Sequence, residues 1–186
     1  MTKKVLIIKP MVKLLNSLKN VYYRRESFSD FHLTLFLRHK SRLSHYANND
    51  HVTLIESSLD SPVDIQAAGV NRLVYTNVLG IYGEVPGEYG RENKVMISNG
   101  LPSALISDEI MVRSDINYTT LRLPWLNDRG IKYEITHKNE TYLGVSGSCK
   151  SMTGVVLQIV ADSSFLSYDS AGIPDPDIHG GDRPVY

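Results

Sequence analysis

Five short apolar and β-branched runs constrain this chain most: KVLII (4–8), HLTLFLR (32–38), VTLIE (52–56), NRLVYTNV (71–78) and NYTTLR (117–122). Between them the apolar spacing turns helical, at 11–20, 62–69 and roughly 102–114. A further segment, SMTGVVLQIVAD (151–162), sets Met152, Val155, Val156, Ile159 and Val160 on one side of a helix. Strand-like runs without strict alternation suit burial on both faces, and intervening helices supply the crossovers of a parallel sheet. The expected fold class is therefore α/β, a mostly parallel sheet flanked by helices. YEIT (133–136) and YLGV (142–145) read as a late hairpin or edge strands, and GIPDPDIHGGDRPVY (172–186) as an irregular, turn-rich tail.

The 186 residues suit a single domain, 1–186, with a core of ordinary size. Twenty basic residues balance twenty acidic ones, which argues against a nucleic-acid or membrane-surface partner. No apolar run approaches the roughly 20 residues of a membrane span, and the N-terminus has no signal-like apolar segment. The expected compartment is the cytoplasm. A single cysteine, Cys149, excludes an intrachain disulfide and any multi-cysteine zinc site.

Two intervals depart from an ordinary doubly wound pattern. Only SSLDSPVDIQAAG (57–69) separates the third run from the fourth. A complete βαβ unit takes about 30 residues, so the middle segment is read as shortened, with a strand or a further segment lost. The second departure follows Val5–Ile8, where a phosphate-cradling turn would need glycine for close backbone approach. Lys9, Pro10 and Met11 stand there instead.

AAGVNRLVYTNVLGIYGEVPGEYG (67–90) resembles the fifth strand and following loop of atypical, NmrA-like short-chain dehydrogenase/reductases. INYTTLRLPWLND (116–128) is similar to their later strand, and LTLFLRHKSRL (33–43) to their second strand with its terminal arginine. The resemblance runs from about residue 3 to the C-terminus. It implies a Rossmann-like NAD(P)-binding domain and, for an active member, hydride transfer from NADPH to an unknown small molecule. By the same resemblance Arg38, with Arg42 and Lys40 behind it, would meet the 2′-phosphate of NADP. Lys9, Pro10 and Met11 would border the pyrophosphate, and Asn77, Val78 and Tyr82 would line the nicotinamide side.

The chain lacks the family's G-x-x-G-x-x-G turn, and proline offers no N–H to a phosphate. Lys9 is either a direct phosphate contact or a solvated loop lysine. Val78 falls where the family carries a serine, and no Y-x-x-x-K occurs anywhere. That leaves Tyr82 as the only catalytic candidate, with a packing role as its alternative. The reading is an NAD(P)-binding protein with altered cofactor and catalytic motifs, either a reductase or a non-catalytic redox-sensing or interaction module. Asp175, Asp177, His179 and Asp182 match no calcium-loop spacing and are read as a turn-rich tail, so no metal site is expected. KNVYYRRESF (19–28) is read as a solvated helix end or loop.

Overall fold

The computed structural model describes residues 3–8, 31–37, 39–56 and 70–178. Six strands form one sheet: β1 (Lys3–Ile8), β2 (Phe31–Leu37), β3 (Val52–Glu56), β4 (Arg72–Val78), β5 (Asn117–Leu123) and, after a short pair β6 (Leu126–Asn127) and β7 (Gly147–Ser148), β8 (Asp169–Gly172). Their order is β3-β2-β1-β4-β5-β8, and every neighbouring pair is parallel. This is the doubly wound order, with the chain reversing its direction of travel across the sheet between β1 and β4. The α/β expectation holds.

Three α-helices are described: α1 (Gly87–Ile97), α2 (Leu101–Val112) and α3 (Cys149–Ala161). A 3-10 helix, Lys40–Tyr46, follows β2. Successive strand residues point to opposite faces, which divides the core in two. Val5, Ile7, Leu33, Leu35, Val74 and Leu121 face α3, where Met152, Val155, Val156 and Ile159 meet them. Phe36, Leu73, Tyr75 and Tyr118 pack on the opposite face with Met111 of α2. The continuous burial of β4 from Arg72 to Asn77 explains why its sequence does not alternate.

Local signals account for the helix starts. The Ser148 hydroxyl accepts the Ser151 N–H at 2.9 Å and caps α3, while Pro102 sits in the first turn of α2, where its missing N–H has no cost. The helices expected at 102–114 and 151–162 appear within three residues of those bounds. Those expected at 11–20 and 62–69, like the 19–28 run, lie outside the described residues.

Among the described residues the run at 71–78 is the fourth strand and pairs directly with β1, and the shortened interval 57–69 lies outside the described residues. YEIT and YLGV do not pair with each other. Thr136 exchanges both of its backbone bonds with Gly172 in an antiparallel bridge, and the Tyr142 N–H donates to the Glu84 carbonyl. Residues 133–137 thus run along the outer edge of β8 and cover part of it. Past Gly172, the last residue of β8, residues 173–178 are turns and irregular backbone as read, and the rest of the tail, with His179 and Asp182, lies outside the described residues. Side-chain bulk at the end of β8 is limited by Tyr142: a Cβ on Gly172 would lie 2.8 Å from the Tyr142 ring.

Candidate functional site

In a doubly wound sheet ligands bind beyond the C-terminal strand ends, at the point where the strand order reverses. Here that point lies between β1 and β4. A cleft of about 460 Å³ opens beside it, at the C-terminal ends of β4 and β5. One wall is Asn77, Val78 and Leu79, and the facing wall is Leu123, Pro124 and Trp125. Asn93 and Ile97 of α1 and Ser103 and Ala104 of α2 close the remaining side. The volume falls within the ordinary range for small-molecule and cofactor sites.

Asn77 is fully engaged. Its Nδ2 donates to the Ala104 carbonyl at 3.0 Å and its Oδ1 accepts the Val78 N–H at 2.9 Å, tying α2 to the end of β4. Val78 is 36% exposed, so an apolar side chain meets the cleft where the resembling family has a serine. Leu79 is held from both sides: its N–H donates to the Leu123 carbonyl at 3.1 Å, and its own carbonyl accepts from Asn93 Nδ2 at 2.9 Å. Gly80 then takes φ +95°, and a Cβ on it would stand 2.6 Å from Asn93 Nδ2. Glycine is needed at this position both for its backbone angle and for space.

Behind this turn lies a buried polar network. The Glu84 carboxylate accepts the Gly80 and Tyr82 N–H groups, each at 3.0 Å, and pairs with Arg122 Nη1 at 2.6 Å. Both partners are buried, Arg122 completely. Arg122 Nη2 donates to the carbonyls of Thr136, His137 and Ser170, at 2.7, 3.0 and 3.2 Å. One guanidinium therefore joins β5, β8, the 133–137 segment and the turn after β4.

Tyr82 does not line the cleft. Its hydroxyl donates to Asp108 Oδ2 at 2.5 Å, and Asp108 also accepts from Thr120 at 3.1 Å. Its ring lies in a second hollow with Glu84, Pro86 and Lys138, whose ammonium sits 4.6 Å from the ring centroid. Burial, followed by the bond to Asp108, raises the phenol well above its ordinary pKa. A proton held in this way is a poor one to deliver to a substrate.

Of the other sequence-derived positions, Lys9, Pro10, Met11 and Arg38 lie outside the described residues. Arg42 falls within the 3-10 helix that follows β2, and Lys40 opens that helix with an exposed side chain. Cys149 is buried in the first turn of α3. Asp177 pairs with Lys132 at 2.9 Å, and Asp175 Oδ1 accepts the Asp177 N–H at 3.0 Å. No group of three or more His, Cys, Asp or Glu side chains is placed to hold a metal ion among the described residues. No helix among them is long and apolar enough to cross a membrane.

Glu84, Asp108 and Arg122 escaped the sequence reading as functional positions. The available signal was Arg122 itself, a cation within the apolar run Leu121-Arg122-Leu123, since a charge in a two-face-buried strand demands a partner. Nothing in the sequence identifies Glu84 as that partner.

The cleft walls offer apolar surface from Val78, Leu79 and Pro124, and the polar side chains Asn77 and Asn93 on them are already bonded to the backbone.

The family model described as NAD(P)H-binding matches residues 64–163, more than half of the chain. None of the curated proteins matches the sequence. Among solved structures, a short-chain dehydrogenase/reductase from Veillonella parvula DSM 2008 in complex with NADP is 20% identical, with TM-score 0.77 and 100% of both chains covered. A Rossmann-fold NAD(P)-binding family protein from Shigella flexneri is 18% identical, with TM-score 0.66 and the same full coverage. An anaerobillin reductase from Escherichia coli O157:H7 is 12% identical, with TM-score 0.66, covering 96% of this chain and 100% of its own. The cofactor class that these findings support is the nicotinamide dinucleotides. The chain belongs to the NAD(P)H-binding family, with the Rossmann fold of the short-chain dehydrogenase/reductases that its sequence resembles.

Proposed function

We propose that the protein is an NADPH-dependent oxidoreductase of the atypical short-chain type, acting in the cytoplasm on a small molecule held in the cleft beyond β4 and β5. The observation that carries this reading is the cleft's position, at the C-terminal strand ends beside the reversal between β1 and β4. When bound, the nicotinamide supplies the hydride. The chain supplies position: Val78, Leu79 and Pro124 bound the ring and exclude water, and Asn77 fixes α2 against β4. Arg38 and Arg42 anchor the adenosine 2′-phosphate, for which a planar guanidinium fork is well suited. Lys9, Pro10 and Met11 border the pyrophosphate with fewer backbone donors than a glycine turn would offer, so binding is weak.

Calorimetric titration of wild type and Arg38→Ala with NADPH and NADH tests the reading. A charge-assisted bond to phosphate is worth about 1.5–3 kcal/mol, so Arg38→Ala should weaken NADPH roughly 10- to 100-fold and change NADH little. Equal losses for both would remove Arg38 from this role, and a wild type that binds neither would remove the oxidoreductase reading.

A second reading, a non-catalytic redox sensor on the same scaffold, is favoured by one observation. The Tyr82 hydroxyl is committed to Asp108, away from the cleft. Under this reading NADPH binds and is not consumed by any acceptor.

A further inference from the structure

The turn after β4 carries more fixed hydrogen bonds than a connecting loop needs, and they converge on one carboxylate. Leu79 forms part of the cleft wall, and its N–H and carbonyl are pinned by Leu123 and Asn93. The backbone of the next three residues is tied to Glu84, which accepts from the Gly80 and Tyr82 N–H groups with separate oxygens. Glu84 is itself held by Arg122, the residue immediately before Leu123 on the opposite cleft wall.

We infer that Glu84 is a positioning residue for the nicotinamide end of the cofactor, with Arg122 as the strut that holds its carboxylate in place. This rests on the oxidoreductase reading above. The carboxylate holds the turn that follows Val78 and Leu79, and the guanidinium ties that turn to β5 next to Leu123 and Pro124. Together they brace the wall spacing that the bond from the Leu79 N–H to the Leu123 carbonyl sets. A carboxylate is required because two backbone donors and one cation must be satisfied at once. A carboxamide has a single oxygen, and its NH2 would face one of the two N–H groups. Glu84 touches no part of the adenosine site, which lies beyond β2 on the other side of β1.

The test compares NADPH with 2′,5′-ADP, which carries the adenosine phosphate and lacks nicotinamide, on wild type and Glu84→Gln. The variant should bind NADPH about 10-fold more weakly, the usual scale for a lost charge-assisted bond. Its affinity for 2′,5′-ADP should stay within about 2-fold of wild type, on the scale of effects too small to reflect a lost hydrogen bond. Because Glu84→Gln strands a buried cation, Glu84→Gln/Arg122→Gln is measured beside it. Removing both charges spares that penalty while the Gly80 and Tyr82 amides still lack their carboxylate, so the same split should persist. Equal weakening of both ligands, no weakening of either, or recovery of NADPH affinity in the double variant would overturn the positioning role and leave the oxidoreductase reading standing. A wild type that binds neither ligand would remove both.

Discussion

Two arginines lie buried on adjacent strands at opposite ends of the sheet, and their surroundings differ in kind. Arg72, at the start of β4, is 4% exposed and bonds only neutral groups: the Asn117 side chain, the Thr119 hydroxyl at 2.6 Å and the Phe165 carbonyl at 2.8 Å. Arg122, near the end of β5, is fully buried against a carboxylate. With no carboxylate in contact, burial lowers the Arg72 pKa to about 10, an effect that the charge of Asp162 only partly offsets. The N-terminal end of the sheet thus tolerates a poorly compensated charge to tie β4 to β5 and the 165–166 loop. At the C-terminal end the charge is compensated, and the compensating group also shapes the turn beside the cleft. The same residue type serves stability at one end and, through Glu84, geometry at the other.

That comparison is broken most directly at Glu84. Replacing it with alanine leaves the Arg122 guanidinium buried without its counter-charge, a loss of about 3–5 kcal/mol for a pair of this kind. Arg72→Met removes a cation whose partners are neutral, and the main cost is the buried acceptors left behind, about 1–3 kcal/mol. Urea melts at pH 7 give both values. If Arg72→Met proved the costlier change, neutral bonds would be holding that cation better than a carboxylate holds Arg122, and the distinction would fall.

Alkaline pH sharpens the same contrast. Burial raises the phenols of Tyr82, Tyr118 and Tyr142 above their ordinary value near 10, with the bond to Asp108 adding to the rise at Tyr82. For each, the folded state keeps a proton that the unfolded state loses, so the stability is fully present below pH 10 and is lost as pH rises beyond it. Arg72 works in the opposite direction. Its folded pKa lies below its unfolded one, so the cost of burying its charge is present below pH 10 and relieved above it. Three groups outweigh one, and each contributes up to about 1.4 kcal/mol per pH unit. Denaturant melts from pH 9 to 11.5 should show stability falling above pH 10, more steeply in Arg72→Met. In Tyr142→Phe the fall should be shallower. The Tyr142 hydroxyl has no hydrogen-bond partner among the described residues, so that variant should be neutral or slightly stabilising at pH 7. Stability that stayed level or rose above pH 10 would mean that these phenols ionise without cost.

What could be read from the sequence divides along physical lines. The five early strands and the helix at 149–161 were legible because burial against two layers demands contiguous apolar residues, or an apolar stripe on a helix. The helix Gly87–Ile97 was not, since it buries only Tyr89 and Asn93 and otherwise faces outward with charged residues and two glycines. β8, with the sequence DSAG, was equally hidden: it is a strand because β5 and residues 133–137 bond it, and its small residues leave room for Tyr142. Asn77 and Val78, which the family resemblance singles out, stand in the wall of the cleft. The pairing of Glu84 with Arg122 joins residues 38 positions apart, which no local pattern encodes.

Tyr82 lies outside the cleft, in the hollow beneath Lys138. The phenol is bonded to Asp108, whose second oxygen still accepts from Thr120. Tyr82→Phe removes one bond to a charged acceptor and leaves the ring, with the cations of Lys138 and Arg122 near it, in place. The expected loss is about 1–2 kcal/mol, toward the lower end because the carboxylate keeps one partner. The rate of NADPH oxidation with any acceptor found for the wild type should change less than about 3-fold, since a true general acid contributes 10²- to 10⁴-fold. A fall of 100-fold or more at unchanged thermal midpoint would place the Tyr82 proton in the reaction, and would require the hydroxyl to turn from Asp108 into the cleft when the cofactor binds.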